Sequence, residues 1–330
     1  MCVKINFDPR KNITALDCIV AQIYRVQDLL TITKIIKNWY KVLLFRLGLT
    51  RNFVMTLRSG EKINISNFGD YSRFWCSRES QTWLLCANNL EKKIRVENKR
   101  KIITVQFKSR ALKFYYTSLK QLVNAIALLK EQFVKDQYWW WLDARGKYVI
   151  DIGANIGDTA IYFTLKGAKH VYAFEPYPYS YKLAIKNMIL NNLQDKITLL
   201  NEACGGKTGF IKIMNNYENT SGSDLRNFNI GKRIRITTLK EIVAHFNINN
   251  NAILKVDCEG CEYGIILNAK DETLRKFDQI MIEYHYGYKN LKRKLELAGF
   301  KVKNAILRYT FNPESENPNM IVGFIYARKR

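Results

Sequence analysis

Residues 148–175 read YVIDIGANIGDTAIYFTLKGAKHVYAFE. An apolar run ends in Asp151, a turn holds Gly153 and Gly157, a helical stretch follows, and a second apolar run ends in Glu175. Strand, glycine turn, helix and strand in that order form part of a doubly wound α/β unit, whose ligands bind beyond the carboxyl ends of the strands. Gly153 lets the backbone turn tightly and admits a ligand where a Cβ would clash. Gly157 allows close packing where the helix begins. The spacing is G-x-x-x-G, without the G-x-G-x-x-G cradle of dinucleotide folds.

Outward from this unit the alternation continues. Apolar runs predict strands at 147–152, 170–175, 197–203, 209–214, 252–257, 278–284, 299–304 and 320–327. Helical spacing predicts helices at about 157–166, 178–192, 238–247, 260–268 and 288–298. Strands that are apolar almost throughout belong to a mostly parallel sheet with helices on both faces. The last two strands lack a helix between them, which predicts an antiparallel edge strand. Upstream, residues 13–47 carry one long or two shorter amphipathic helices, basic in their second half. FVMTLRSGEKINIS (53–66) and KKIRVENKRKIITVQF (92–107) read as hairpins, and 118–135 as a helix with Ser118 as N-cap. YWWW at 138–141 reads as an apolar seam. The expected division is a smaller α+β region at 1–136 and an α/β domain at 137–330.

The acids decide the ligand. A carboxylate beside a phosphate is repelled, whereas Asp151, Asn155 and Asp158 suit a zwitterion carrying an ammonium. Glu175, at the end of the second strand, can accept from both hydroxyls of an unphosphorylated ribose. S-adenosylmethionine has these groups and no phosphate. The expected donor site is Asp151, Gly153, Ala154, Asn155, Gly157, Asp158, Glu175 and Pro176, with Asn201, Glu202 and Ala203 reading the adenine.

Methyl transfer to a hydroxyl needs in-line alignment and a base. Asp257, Glu259, Glu262 and His285 fall at the carboxyl ends of later strands. His285 is the first candidate base, because imidazole titrates near neutral pH, and Asp257 is the second. Glu262 is expected to cap or brace the helix after Gly260. Asp257, Glu259, Glu283 and His285 could bind Mg²⁺, but their spacing does not indicate a metal. Cys258 and Cys261 form a C-x-x-C without the further ligands zinc needs. The polar stretch 215–233 reads as a lid over the acceptor.

The net charge is +24, and residues 1–146 carry +15 of it. That excess favours anionic partners, nucleic acid among them, and the basic helix within 13–47 could touch a membrane face. Seven cysteines without regular spacing are expected to be reduced thiols in a cytoplasmic protein. The start shows no apolar leader, and no uncharged run of eighteen apolar residues occurs, so no spanning helix is expected.

VIDIGANIGDTAIYF, VYAFEPYPYSYKLAIKNMILNN, ILKVDCEGCEYGIIL and IMIEYH together resemble the FkbM-type methyltransferases over about residues 130–305. The most specific elements are KVDCEGCE and IEYH. The resemblance implies a seven-stranded Rossmann-like methyltransferase sheet, S-adenosylmethionine as donor, and O-methylation of a glycan, lipid-linked sugar or natural product. It puts Asp151, Gly153, Asn155, Gly157 and Glu175 on donor positions, and Asp257, Glu259 and Glu262 on the acidic motif. Lys240 stands where the family carries an Asp, and Cys258 and Cys261 where it carries small apolar residues. Two other readings compete. A nucleic-acid methyltransferase fits the charge, but VDCEG stands where a base N-methylase carries an Asn/Asp-Pro-Pro-aromatic motif. A non-catalytic S-adenosylmethionine-binding protein would keep only the donor residues.

Overall fold

The computed structural model describes residues 33, 36–46, 48–58, 60–66, 93–134, 136, 141–215, 231–311 and 319–330. The expected first helix of 13–47, Trp139, Trp140 and most of the expected lid lie outside them.

The first described elements are helix α1 (Trp39–Arg46) and the antiparallel hairpin β1 (Phe53–Thr56) and β2 (Lys62–Ile65), built around Ile36, Val42, Met55, Leu57 and Ile65. An antiparallel meander follows: β3 (Ile94–Glu97), β4 (Ile102–Phe107) and β5 (Arg110–Tyr115). Helix α2 (Leu119–Leu129) starts at Ser118, whose side chain accepts from the Gln121 N–H, and it runs on into a π-helical turn at Lys130–Val134.

The main sheet begins at β6 (Tyr148–Ile152), followed by α3 (Asp158–Leu165), β7 (His170–Phe174), α4 (Pro178–Leu190) and β8 (Ile197–Leu200). The chain then forms a small sheet of β9 (Ala203–Gly205), β10 (Gly209–Ile213) and β11 (Lys232–Thr238). It returns through α5 (Leu239–His245), β12 (Ala252–Val256), α6 (Cys261–Asn268), α7 (Asp271–Leu274), β13 (Gln279–Tyr284) and α8 (Lys289–Leu297). A long pair, β14 (Phe300–Phe311) and β15 (Asn319–Lys329), ends the fold.

The seven strands lie in the order β14-β15-β13-β12-β6-β7-β8. Chain order reverses between β6 and β12, which makes that boundary the switch point where open α/β sheets bind ligands. The order differs from the six-stranded doubly wound pattern by one strand, β15, set antiparallel between β13 and β14. The antiparallel strand is therefore one place in from the edge rather than at it. Strand β11 takes in Lys232 and Arg233 of the expected lid and adds a strand through Thr238 that the apolar runs did not predict. Its alternation of Ile234 and Ile236 with Arg233 and Arg235 forms a strand because β9 and β10 flank it.

One sheet face packs against α5, α6 and α8. The other carries α3 and α4, and residues 94–134 join the same apolar cluster. Phe107, Phe114 and Phe133 meet Tyr162 of α3 in an aromatic group. Two asparagines of α4 fasten the edge of β5. The Asn187 side chain accepts from the Tyr115 N–H at 2.7 Å and donates to the Ile156 carbonyl at 2.9 Å, and Asn191 accepts from the Lys113 N–H and donates to its carbonyl. Asn187 is fully buried. Asn187→Ala leaves a donor and an acceptor unpaired and should cost about 2–3 kcal/mol in urea unfolding, whereas half-buried Asn191→Ala should cost under about 1 kcal/mol. Equal losses would refute this anchoring role. Among the described residues no helix is long and apolar enough to cross a membrane.

Candidate active site

The pocket at the switch point is lined by Gly153, Asn155, Asp158, Thr159, Glu175, Pro176, Glu202, Ala203, Lys255, Asp257, Cys258, Glu259 and Cys261, among others. Leu128 of α2 and Gln132 of the π turn complete its wall. Carboxylates outnumber cations along this surface, in a chain whose net charge is +24.

Gly153 is left-handed at φ 82°, and a Cβ there would lie 1.7 Å from the Asp257 carbonyl oxygen. The turn after β6 and the end of β12 thus touch through backbone. At Gly157 a Cβ would meet Ala184 at 3.2 Å, so this glycine serves the α3–α4 packing read from the sequence.

Glu175 is buried and held by two backbone donors, the Asn155 N–H at 2.8 Å and the Tyr177 N–H at 2.9 Å. Burial pushes its carboxyl up to about 8, against those two hydrogen bonds. Asp158, at the start of α3, is buried as well, and its Oδ2 has no hydrogen-bond partner. Burial raises it to about 7, with Lys255 opposing.

Asp151, Ala154, Gly157 and Asn201 do not line the pocket. Asp151 is wholly buried beneath it, where it accepts from Thr159 Oγ1 at 2.5 Å and pairs with Lys255 Nζ at 3.0 Å. Lys255 is its register partner across β6 and β12, and its ammonium also donates to the Gly153 carbonyl at 2.9 Å. Burial opposes the charge on Lys255, but Asp151 and Asp257 outweigh it and hold the ammonium above the ordinary lysine range. Asn201 donates to the carbonyls of Glu175 and Pro176, so it fixes the end of β7 rather than facing a ligand.

His285 is buried at the end of β13. Its Nδ1 lies 3.0 Å from Glu262, its Nε2 lies 3.1 Å from Glu259, and Asp257 stands 4.0 Å from Nε2. Burial works against the imidazolium, but Glu259 and Glu262 prevail and raise the group well above its usual range. Both nitrogens face carboxylates. Carboxylates on both nitrogens favour the imidazolium over a neutral ring with a lone pair open to the pocket. Glu262 braces the loop as expected, accepting from the Gly260 and His285 N–H groups. Asp257, its side chain 26 % exposed, is raised to about 6 by burial and by Glu259 and Glu262, against Lys255 and His285. Asp257, Glu259 and His285 offer ligand atoms within 4.8 Å of one another, a group compact enough to surround a cation, in which Glu283 has no part. Here they form a hydrogen-bonded, ion-paired group.

Cys258 and Cys261 form a disulfide, contrary to the expected reduced thiols. One loop between β12 and α6 brings both sulfurs together, their Cα atoms 5.5 Å apart. Cys204 is a free, buried thiol. Lys255, Thr159, Leu128 and Gln132 were not legible as site residues. Lys255 stood as a polar position inside an apolar strand, the one available signal.

The pKa shifts predict a pH dependence. Asp158, Glu175, Asp257 and His285 each bind protons more tightly in the folded state than in the unfolded chain, where carboxyls titrate near 4 and imidazole near 6.5. Their contribution is therefore greatest at low pH and falls as pH rises through 4 to 8. His170, lowered by burial, opposes this below its ordinary value. The melting temperature without donor should drop by at least about 5 °C between pH 5 and pH 8. A flat or rising profile would contradict the assignment.

The seven-stranded order and the acid-lined pocket at the switch point are those of the Rossmann-like methyltransferase class of folds. Residues 151–302 match the family model of the methyltransferase FkbM domain. That match spans a little under half of the chain and covers β6 to β14 of the main sheet. It is 42 % identical over 55 residues to a ribosomal protein L11 methyltransferase of Carboxydothermus hydrogenoformans, covering 17 % of this chain and only 18 % of that protein. It is 27 % identical over 158 residues to uncharacterized protein 65 of the Sulfolobus islandicus filamentous virus, covering 47 % of this chain and 72 % of that one. Among solved structures, the SAM-dependent methyltransferase of Agrobacterium tumefaciens aligns with a TM-score of 0.40 at 10 % identity, over 70 % of this chain and 71 % of that chain.

Proposed function

We propose that the protein transfers a methyl group from S-adenosylmethionine to a hydroxyl of a glycan, a lipid-linked sugar or a natural product. One observation carries this reading: a pocket crowded with carboxylates inside a strongly basic protein. The donor bears one more positive than negative charge, so it suits those acids, whereas a phosphate-bearing acceptor is repelled at the same mouth. The residues present fit the donor. Asp158 offers a buried oxygen without a partner to the ammonium, and Glu175 keeps lone pairs for the ribose hydroxyls. Gly153 leaves room that a Cβ would fill, and Glu202 and Ala203 stand beyond β8 for the adenine.

When bound, the donor supplies an electrophilic methyl on a sulfonium. The protein's part is to align the acceptor oxygen and to take its proton. Asp257 performs the second task, because it lines the pocket, is partly exposed and titrates near 6. Imidazolium His285 positions Glu259 and balances the charge of the three acids around it. Lys255, tied to Asp151, holds the turn through the Gly153 carbonyl and stands 3.9 Å from Asp257. Residues 1–136 act as an accessory part whose α2 and π turn close one wall of the pocket.

Calorimetry with S-adenosylmethionine tests the donor, and absence of binding would overturn the reading. A labelled-methyl screen against glycan, lipid and RNA extracts tests the acceptor. Label entering RNA alone would establish the nucleic-acid alternative.

A further inference from the structure

We propose that Cys258 and Cys261 are a redox modification site whose disulfide holds the acceptor side of the active site in its working shape. The inference rests on the methyltransferase reading above for its effect on turnover, but the staple itself is visible without it.

The disulfide spans Asp257's chain neighbour and the first residue of α6, so it encloses Glu259 and Gly260. Both enclosed residues are left-handed, Glu259 at φ 56° and Gly260 at φ 111°. Glycine adopts that region freely, but glutamate does so only where its surroundings impose it. The imposed shape puts Glu259 3.1 Å from His285 Nε2 and directs the Gly260 N–H to Glu262 at 2.8 Å. Glu262 in turn accepts from His285 Nδ1. One covalent bond thus lies at the base of the whole carboxylate–imidazole group. Both cysteines line the pocket and are partly exposed, so a small thiol can reach them.

Reduction by a dithiol such as dithiothreitol breaks one S–S bond and forms two S–H groups. The reductant supplies two electrons and two protons and leaves as its own cyclic disulfide. Glu262 lies 3.8 Å from the Cys258 sulfur, and a negative neighbour disfavours a thiolate there. Once the bond is open, Glu259 relaxes from its left-handed conformation and leaves His285. The donor side is fixed independently, by Asn155 and Tyr177 on Glu175 and by Lys255 on Asp151.

The test compares the full-length protein with the bond closed by glutathione disulfide, the protein reduced by dithiothreitol, and the C258S/C261S double variant. Mass spectrometry after thiol alkylation verifies each state. Amide hydrogen exchange over residues 258–262 reads the staple without any acceptor. It should be at least about fivefold faster in the reduced protein and in the variant than in the closed one. S-adenosylmethionine should bind all three within about threefold, while kcat falls about tenfold on reduction and returns on reoxidation. The variant should stay at the low rate with or without reductant. Equal exchange in verified closed and open states overturns the proposal, as does an equal kcat in those states. Failure of the closed protein to bind S-adenosylmethionine would instead overturn the methyltransferase reading, and the exchange result would still decide the staple.

Discussion

Asp257→Asn should lower kcat by about 10²- to 10⁴-fold, the usual worth of a positioned base. The amide keeps the size of the side chain but accepts no proton at neutral pH. Asp257 lines the pocket and is bordered by Lys255 at 3.9 Å and His285 at 4.0 Å, so its loss leaves two cations facing an uncharged group. S-adenosylmethionine should still bind within about threefold, because Glu175 and Asp158 are untouched. The wild-type kcat should rise through a limb near pH 6, where Asp257 gives up its proton, and that limb should vanish in the variant. His285→Gln should cost less and leave the limb in place. A variant of Asp257 that turns over at the wild-type rate, beside an inactive His285→Gln, would return the base to the imidazole. Stopped assays with labelled donor across pH 5–9 separate the two.

The second large effect falls on the donor. Glu175→Ala should raise the dissociation constant of S-adenosylmethionine by about 10- to 10²-fold, since two ribose hydrogen bonds of about 0.5–1.5 kcal/mol each are lost. The loss is twofold in kind. The ribose hydroxyls lose their acceptor, and the N–H groups of Asn155 and Tyr177 lose theirs, so the turn after β6 loosens as well. At saturating donor, kcat should fall by under about fivefold, because the acceptor side keeps its own network. Titration calorimetry measures the first quantity directly. An unchanged affinity would remove Glu175 from ribose recognition and leave it a role in fixing the turn.

The half-site at 148–175 was legible because its parts are consecutive. Apolar strands, the left-handed Gly153 and the pocket-lining Glu175 all fall within one short stretch. What lay across the sheet was not legible. Asp151 looked like a donor ligand because its partner Lys255 lies on β12 and becomes a neighbour only when β6 and β12 pair. Lys255 itself sat inside AILKV, where periodicity marks a strand but not a charge centre. His285 looked like a base for the same reason: Glu262, whose carboxylate helps charge it, lies 23 residues upstream on another element. Strand β11 needed β9 and β10 to form, and the edge of β5 needed Asn187 from 72 residues away. The disulfide ran against the expectation of reduced thiols, because C-x-x-C spacing permits a bond without requiring one.

The shared cluster of residues 94–134 with the α3–α4 face has a consequence during biosynthesis. Ile103, Val105, Phe107, Leu112 and Phe114 form the inner face of the meander, and α3 and α4 help to cover it. Those helices are translated later, with α4 ending at Leu190. At typical elongation rates the nascent chain waits on the order of 5–15 s for them, with an apolar sheet face still partly bare. This interval is when the polypeptide most needs a holding chaperone. It is also when substitutions on that face would show as lost yield before they show as lost stability.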